Sequence, residues 1–137
     1  MVLISTGASI GFVTRILPDG WIDPVFGING FYLEFGMETG VTAVGVDPSG
    51  RIWLLGRLLA DGTGWWIFQL LDTVGNPTDN RALTFPGYGF ETTIPTAMAF
   101  QPDGNVLLGG WGKTGSPDFF ASMAIARILG SSLNLDP

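Results

Sequence analysis

VGVDPSGRIWLLG (44–56) returns further along the chain as AFQPDGNVLLGG (99–110). Asp47-Pro48-Ser49-Gly50-Arg51 and Gln101-Pro102-Asp103-Gly104-Asn105 fill the same slot, Gln101 standing 54 positions after Asp47. In both, Pro presets φ at the second turn position and Gly supplies a left-handed residue. That chemistry predicts a type I turn with a following bulge, closing a hairpin. Leu17-Pro18-Asp19-Gly20 reuses it elsewhere in the unit. Replacing Gly50 or Gly104 by Val is expected to damage the hairpin, because a β-branched residue resists positive φ.

A second block recurs around the first: RILPDGWIDP (15–24), QLLDTVGNP (69–77) and RILGSSLNLDP (127–137). The chain therefore reads as a single β-repeat domain of two and a half units, approximately 1–50, 51–104 and a partial 105–137. Short apolar segments bounded by Gly, Pro, Asn and Asp predict strands at 2–5, 11–17, 31–35, 41–46, 51–57, 65–71, 81–85, 95–100, 105–111 and 121–129. A full unit holds about four of them, as in a propeller blade. Residues 121–129 (ASMAIARIL) have helical propensity. They align, however, with 11–17 and 65–71, where Gly11, Val13, Trp65 and Trp66 favour strand, so all three copies are read as strand. Residues 2–5 align with 51–57 and 105–111, the second strand of the hairpin.

With 137 residues, 46% hydrophobic and 13% charged, the composition fits one modest ordered domain. The charged share is about half the usual ~25%. Either partners cover part of the surface, or Ser, Thr, Asn and Gly clothe a compact β domain. The net charge is −6, and the six basic residues (Arg15, Arg51, Arg57, Arg81, Lys113 and Arg127) are scattered. Without a basic stripe, nucleic acid and an anionic membrane surface are poor partners. Cysteine is absent, which leaves no disulfide and the redox compartment open. The first residues, MVLISTGASIGFVTR, lack a positive n-region and read as structure rather than a signal peptide. Arg57 and Arg127 interrupt the apolar runs, so no transmembrane segment or membrane insertion is expected, and the localisation is open.

Histidine is also absent, which removes the commonest metal ligand and near-neutral base. The reading is non-enzymatic, with no catalytic residue, cofactor or metal. Lys113, the sole lysine, lies in the Gly-rich GWGKTGSPD (110–118), whose spacing is not that of a P-loop and which reads as a connection between strands. Asp19/Asp23 and Glu34/Glu38 are the close carboxylate pairs, the remaining route to hydrolysis. Asp19, Asp47 and Asp103 sit in turns, where Asp serves as a local hydrogen-bond acceptor. The aromatics are the candidate interface or ligand-stacking residues: Trp21, Trp53, Trp65, Trp66, Trp111, Phe119 and Phe120. The alternative is that they fill the core. In Trp65-Trp66 and Phe119-Phe120, adjacent strand residues face opposite ways, so one of each pair can be core.

RILPDGWIDPVFG (15–27) followed by VTAVGVDPSGRIWLLG (41–56) resembles the delta-60 repeat, a β-propeller repeat of bacterial and phage proteins. The resemblance extends to 95–110 and is weaker at 69–77 and 130–137. It implies an all-β fold of propeller-type four-stranded antiparallel blades. It carries no shared catalytic residues. Closed propellers use about 4–8 blades, so two and a half repeats do not close a ring alone, and open strand edges need cover. The expected function is a structural or interaction module that forms a homo-oligomer or docks on a larger protein assembly. A virion tail, fibre or capsid-decoration part suits its small, acidic, cysteine-free character. The alternative is a carbohydrate-binding, lectin-like propeller module with a glycan as partner.

Overall fold

The computed structural model describes residues 2–6, 11–34, 41–60, 63–83, 90–114 and 121–135, and none of these is helical. Among the described residues ten strands follow in order: β1 (Val2–Thr6), β2 (Gly11–Arg15), β3 (Phe31–Glu34), β4 (Val41–Val46), β5 (Ile52–Ala60), β6 (Thr63–Leu71), β7 (Pro77–Leu83), β8 (Phe90–Phe100), β9 (Val106–Thr114) and β10 (Ala121–Ile128). They form three antiparallel sheets, β1-β2-β3, β4-β5-β6-β7 and β8-β9-β10, in which each strand pairs with its neighbour in sequence. The sheets are separate and none closes on itself. Residues 121–128 are strand, as their alignment with 11–17 and 65–71 requires, against their helical propensity.

Several strands are longer than the sequence reading gives: the one read at 51–57 runs on to Ala60, and those read at 81–85 and 95–100 begin at Pro77 and Phe90. Residues 110–114 of the Gly-rich segment are not a connection but the end of β9, with Gly110 paired to Pro95 and Ala124 and Gly112 to Thr93 and Ser122. Ladder hydrogen bonds on both sides hold this glycine-rich backbone extended, which low propensity alone does not foretell. Residues 115–118 lie outside the described residues.

Four turns share one geometry. Gly20, Gly50, Gly75 and Gly104 sit at φ +90°, +86°, +88° and +84°. Their N–H groups donate to the carbonyls of Leu17, Asp47, Asp72 and Gln101 at 3.0, 2.9, 3.1 and 3.0 Å. The Asp72 turn has no Pro. Its carboxylate instead accepts from the Val74 and Asn76 N–H groups at 2.9 and 2.8 Å, which fixes the loop by side-chain bonding. The third copy of the block, after β10, is one residue longer: the Leu129 N–H donates to the Asn134 carbonyl at 2.9 Å, and Leu133 takes φ +58°. At Gly104 an added Cβ meets nothing within 4 Å. Gly104→Ala should therefore cost only the left-handed strain, about 1–2 kcal/mol, read as a lower urea midpoint with an unchanged slope.

Burial alternates along the strands, and it alternates between two cores. Ile52 and Leu54 of β5 join Val13, Phe26, Val41 and Leu71 in a cluster between the first and middle sheets. Trp53 and Leu55 point the other way and join Trp66, Phe68, Val106, Leu108 and Ile128 between the middle and third sheets. The middle sheet is thus covered on both faces. Side chains also tie the layers together. Arg15 Nη1 donates to the Thr73 carbonyl, and Arg81 Nη1 donates to Asn134 Oδ1 at 3.1 Å.

Candidate functional site

The third sheet presents a face that none of the described residues covers. In β10, Ala124, Ala126 and Ile128 are buried against the middle sheet, while the alternate residues Met123 and Ile125 are 79% and 63% exposed. Met123 pairs with Trp111 and Ile125 with Gly109, so these positions share one outward surface. Trp111, 37% exposed, lies on it two residues along β9 from Gly109, where an added Cβ would meet nothing within 4 Å. Lys113 and Arg127, both exposed, lie on the same face by strand alternation.

A second apolar surface is built by the segment between β2 and β3. Ile16 bridges Ile22, and the Asp23 carboxylate accepts from the Val25 N–H at 3.0 Å and from Arg15 Nε at 2.8 Å. Arg15 covers the buried Phe26 ring, 5.3 Å from its centroid. The Gly27 N–H donates to the Val74 carbonyl at 2.8 Å, which pins this segment to the middle sheet's Asp72 turn. The folded-over segment leaves Trp21 exposed (75%), and Ile28 (81% exposed) borders a cleft of about 540 Å³. Ile28, Asn29, Tyr32, Leu33, Asn76 and Pro77 line it.

The remaining sequence candidates separate by burial. Trp53 and Trp66 are fully buried, so neither is an interface or stacking residue; this corrects the sequence assignment. Their strand parity points them between the middle and third sheets, a neighbour that the sequence does not display. Trp65 is half-buried next to the buried Trp66, the division that strand alternation requires. Trp21 and Trp111 remain at the surface, and Phe119 and Phe120 lie outside the described residues.

The turn carboxylates are occupied locally. Asp19 accepts from the Trp21 N–H at 3.1 Å, and Asp103 from Asn105 N and Nδ2, both at 3.0 Å. Asp47 is the most engaged. It accepts from Ser49 N and Oγ (2.9 and 2.6 Å), Arg51 N and Nε (3.0 and 2.7 Å) and Trp53 Nε1 (3.0 Å). Burial pushes this carboxyl up, but the bonds from Ser49, Trp53 and Arg51 outweigh it and hold the pKa at about 2, below its ordinary 3.8. Asp23 is lowered by the Val25 N–H and then Arg15, and Asp72 by the N–H and side chain of Asn76. Among the described residues no three carboxylates gather where a metal could sit.

A carboxyl depressed in the folded state stabilises above its unfolded pKa. For Asp47 that contribution is about 2 kcal/mol near neutrality and is lost as pH falls from 3.8 towards about 2. Asp47→Asn should therefore be less stable than the parent at pH 7 by about that amount, with the gap closing at pH 2. Denaturant titrations at both pH values measure it; a pH-independent gap would show that the charge contributes nothing.

Set against family models, curated proteins and solved structures, the chain matches none.

Proposed function

We propose that this protein is a non-catalytic structural module of the β-propeller-repeat kind, and that its work is assembly. The observation that carries the reading is the uncovered face of the third sheet. Pairing sets it in register with the middle sheet's covered face. Trp53–Leu70, Leu55–Phe68 and Arg57–Trp66 in the middle sheet correspond to Leu107–Arg127, Gly109–Ile125 and Trp111–Met123 in the third. Trp53, Leu55, Trp66, Phe68 and Leu70 of the first set are buried in the core, whereas Trp111, Met123, Ile125 and Arg127 of the second are exposed and Leu107 and Gly109 half-buried. A contiguous exposed apolar patch of this kind marks an association surface. The repeat's resemblance to delta-60 sequences, and a middle sheet built as a four-stranded meander, support the blade reading. A tail, fibre or capsid-decoration part is the setting that suits a small acidic assembling module.

Sedimentation across a concentration series tests the proposal: association is expected, and a monomer at every concentration sinks it. A second reading, a glycan-binding module, draws on two separate features, the exposed Trp21 and the cleft lined by Tyr32, Asn29 and Asn76. Sugar titrations followed by tryptophan fluorescence discriminate. Saturable binding abolished by Trp21→Ala favours the lectin, and no binding together with self-association favours the scaffold.

A further inference from the structure

We infer that the third sheet's open face is covered by the first sheet of a second copy of this chain, in a head-to-tail contact; the inference rests on the assembly reading above. Within the chain, the face that lies on Trp66 and Phe68 is the inner face of the third sheet, including Leu108 on β9 and Ala124 and Ile128 on β10. In the middle sheet the corresponding face, with Leu54, Ile67 and Leu71, is turned towards the first sheet and covered by it. In the first sheet this same face is turned away from the middle sheet's core, with Phe31 and Leu33 on edge strand β3 also bordering the cleft to Asn76 and Pro77.

Val13 and Tyr32 of the first sheet pack towards the middle sheet, so their neighbours Phe12, Phe31 and Leu33 point outwards. Phe12 and Phe31 meet edge to face at 5.8 Å, and Leu33 is exposed. The two ends of the stack thus carry the two halves of one interface type, which the molecule already makes twice internally. Seating the first sheet of one copy on the third sheet of another continues that established packing in the same sense. The contact is heterologous, because the two surfaces differ. Two copies joined this way place six sheets in series, within the ~4–8 that closed blade rings use.

The test uses substitutions that put a charge on one face at a time. Gly109→Glu acts on the third sheet: its Cβ enters open space, so the fold should be kept. Leu33→Asp acts on the exposed edge of the first sheet. Circular dichroism and thermal melts verify that both variants fold like the parent, and Ile125→Asp replaces Gly109→Glu if it does not. The parent is expected to sediment above monomer mass and each variant as a monomer. An equimolar mixture of the two variants should form a one-to-one dimer, since each retains the half the other lacks. If Leu33→Asp alone still dimerises as the parent does, the third sheet pairs with itself and the head-to-tail contact is wrong. If the mixture stays monomeric while the parent associates, a different surface assembles and the inference falls with the proposed function intact. A monomeric parent removes both.

Discussion

Trp53→Ala is expected to lower the unfolding free energy by about 3–5 kcal/mol, the range for deleting a fully buried large aromatic. Trp53 is fully buried, 5.0 Å from the Phe68 ring and 6.2 Å from the Phe100 ring, so its removal opens a cavity between two sheets. It also removes the indole N–H that bonds the Asp47 carboxylate at 3.0 Å. Trp53→Phe separates the two effects. It refills most of the void but restores no donor, and should cost about 1.5–3 kcal/mol, the worth of a hydrogen bond to a charged group. Trp111→Ala, on the open face, should cost well under either while weakening association. Urea unfolding of the three variants gives the order. A small effect at Trp53 would place its ring outside the core.

Gly110→Val should be comparably severe, about 3 kcal/mol or more, for the opposite reason of too much matter. A Cβ at Gly110 would press on the Ile94 carbonyl oxygen and stand 2.7 Å from Trp66 Cζ2 and 2.8 Å from Pro95 Cα. The buried indole of the middle sheet thus lies on bare backbone of the third. Because the nearest obstacles include main-chain atoms of β8, shrinking Trp66 should not rescue the variant. Stability of Gly110→Val with and without Trp66→Leu decides this, and full rescue would mean that the side chain alone sets the limit. One residue earlier, Gly109 faces open space, so the same substitution there should be tolerated.

These two glycines show where the sequence is legible and where it stops. Repetition locates the strands, and at 121–128 it overrules local propensity, because three copies must pair alike. Turn chemistry is legible too, since Pro and Gly act on their own dihedrals. The Asp72 turn is harder to read. It reaches the same shape through carboxylate bonds that need the folded loop to be visible. The division of Trp53 and Trp66 from Trp21 and Trp111 is harder still. Parity along a strand says that neighbours oppose, but which side is inside depends on the sheet stacked there. The Gly27–Val74 and Arg15–Thr73 ties likewise join residues far apart in sequence, and no spacing rule announces them.

The middle sheet's two apolar faces bear on how the molecule folds. Every strand pairs with its neighbour in sequence, so each meander can begin on local contacts with little loop-closure entropy to overcome. Pairing alone, however, leaves Ile52 and Leu54 wet on one side and Trp53 and Leu55 wet on the other. Hairpins can therefore form early and still be marginal, and the decisive event is the docking of layers. Detaching either flanking sheet would strip a whole face of the centre. Strand content and tryptophan burial should vanish together in one cooperative transition, with no two-layer remnant accumulating between folded and unfolded chains.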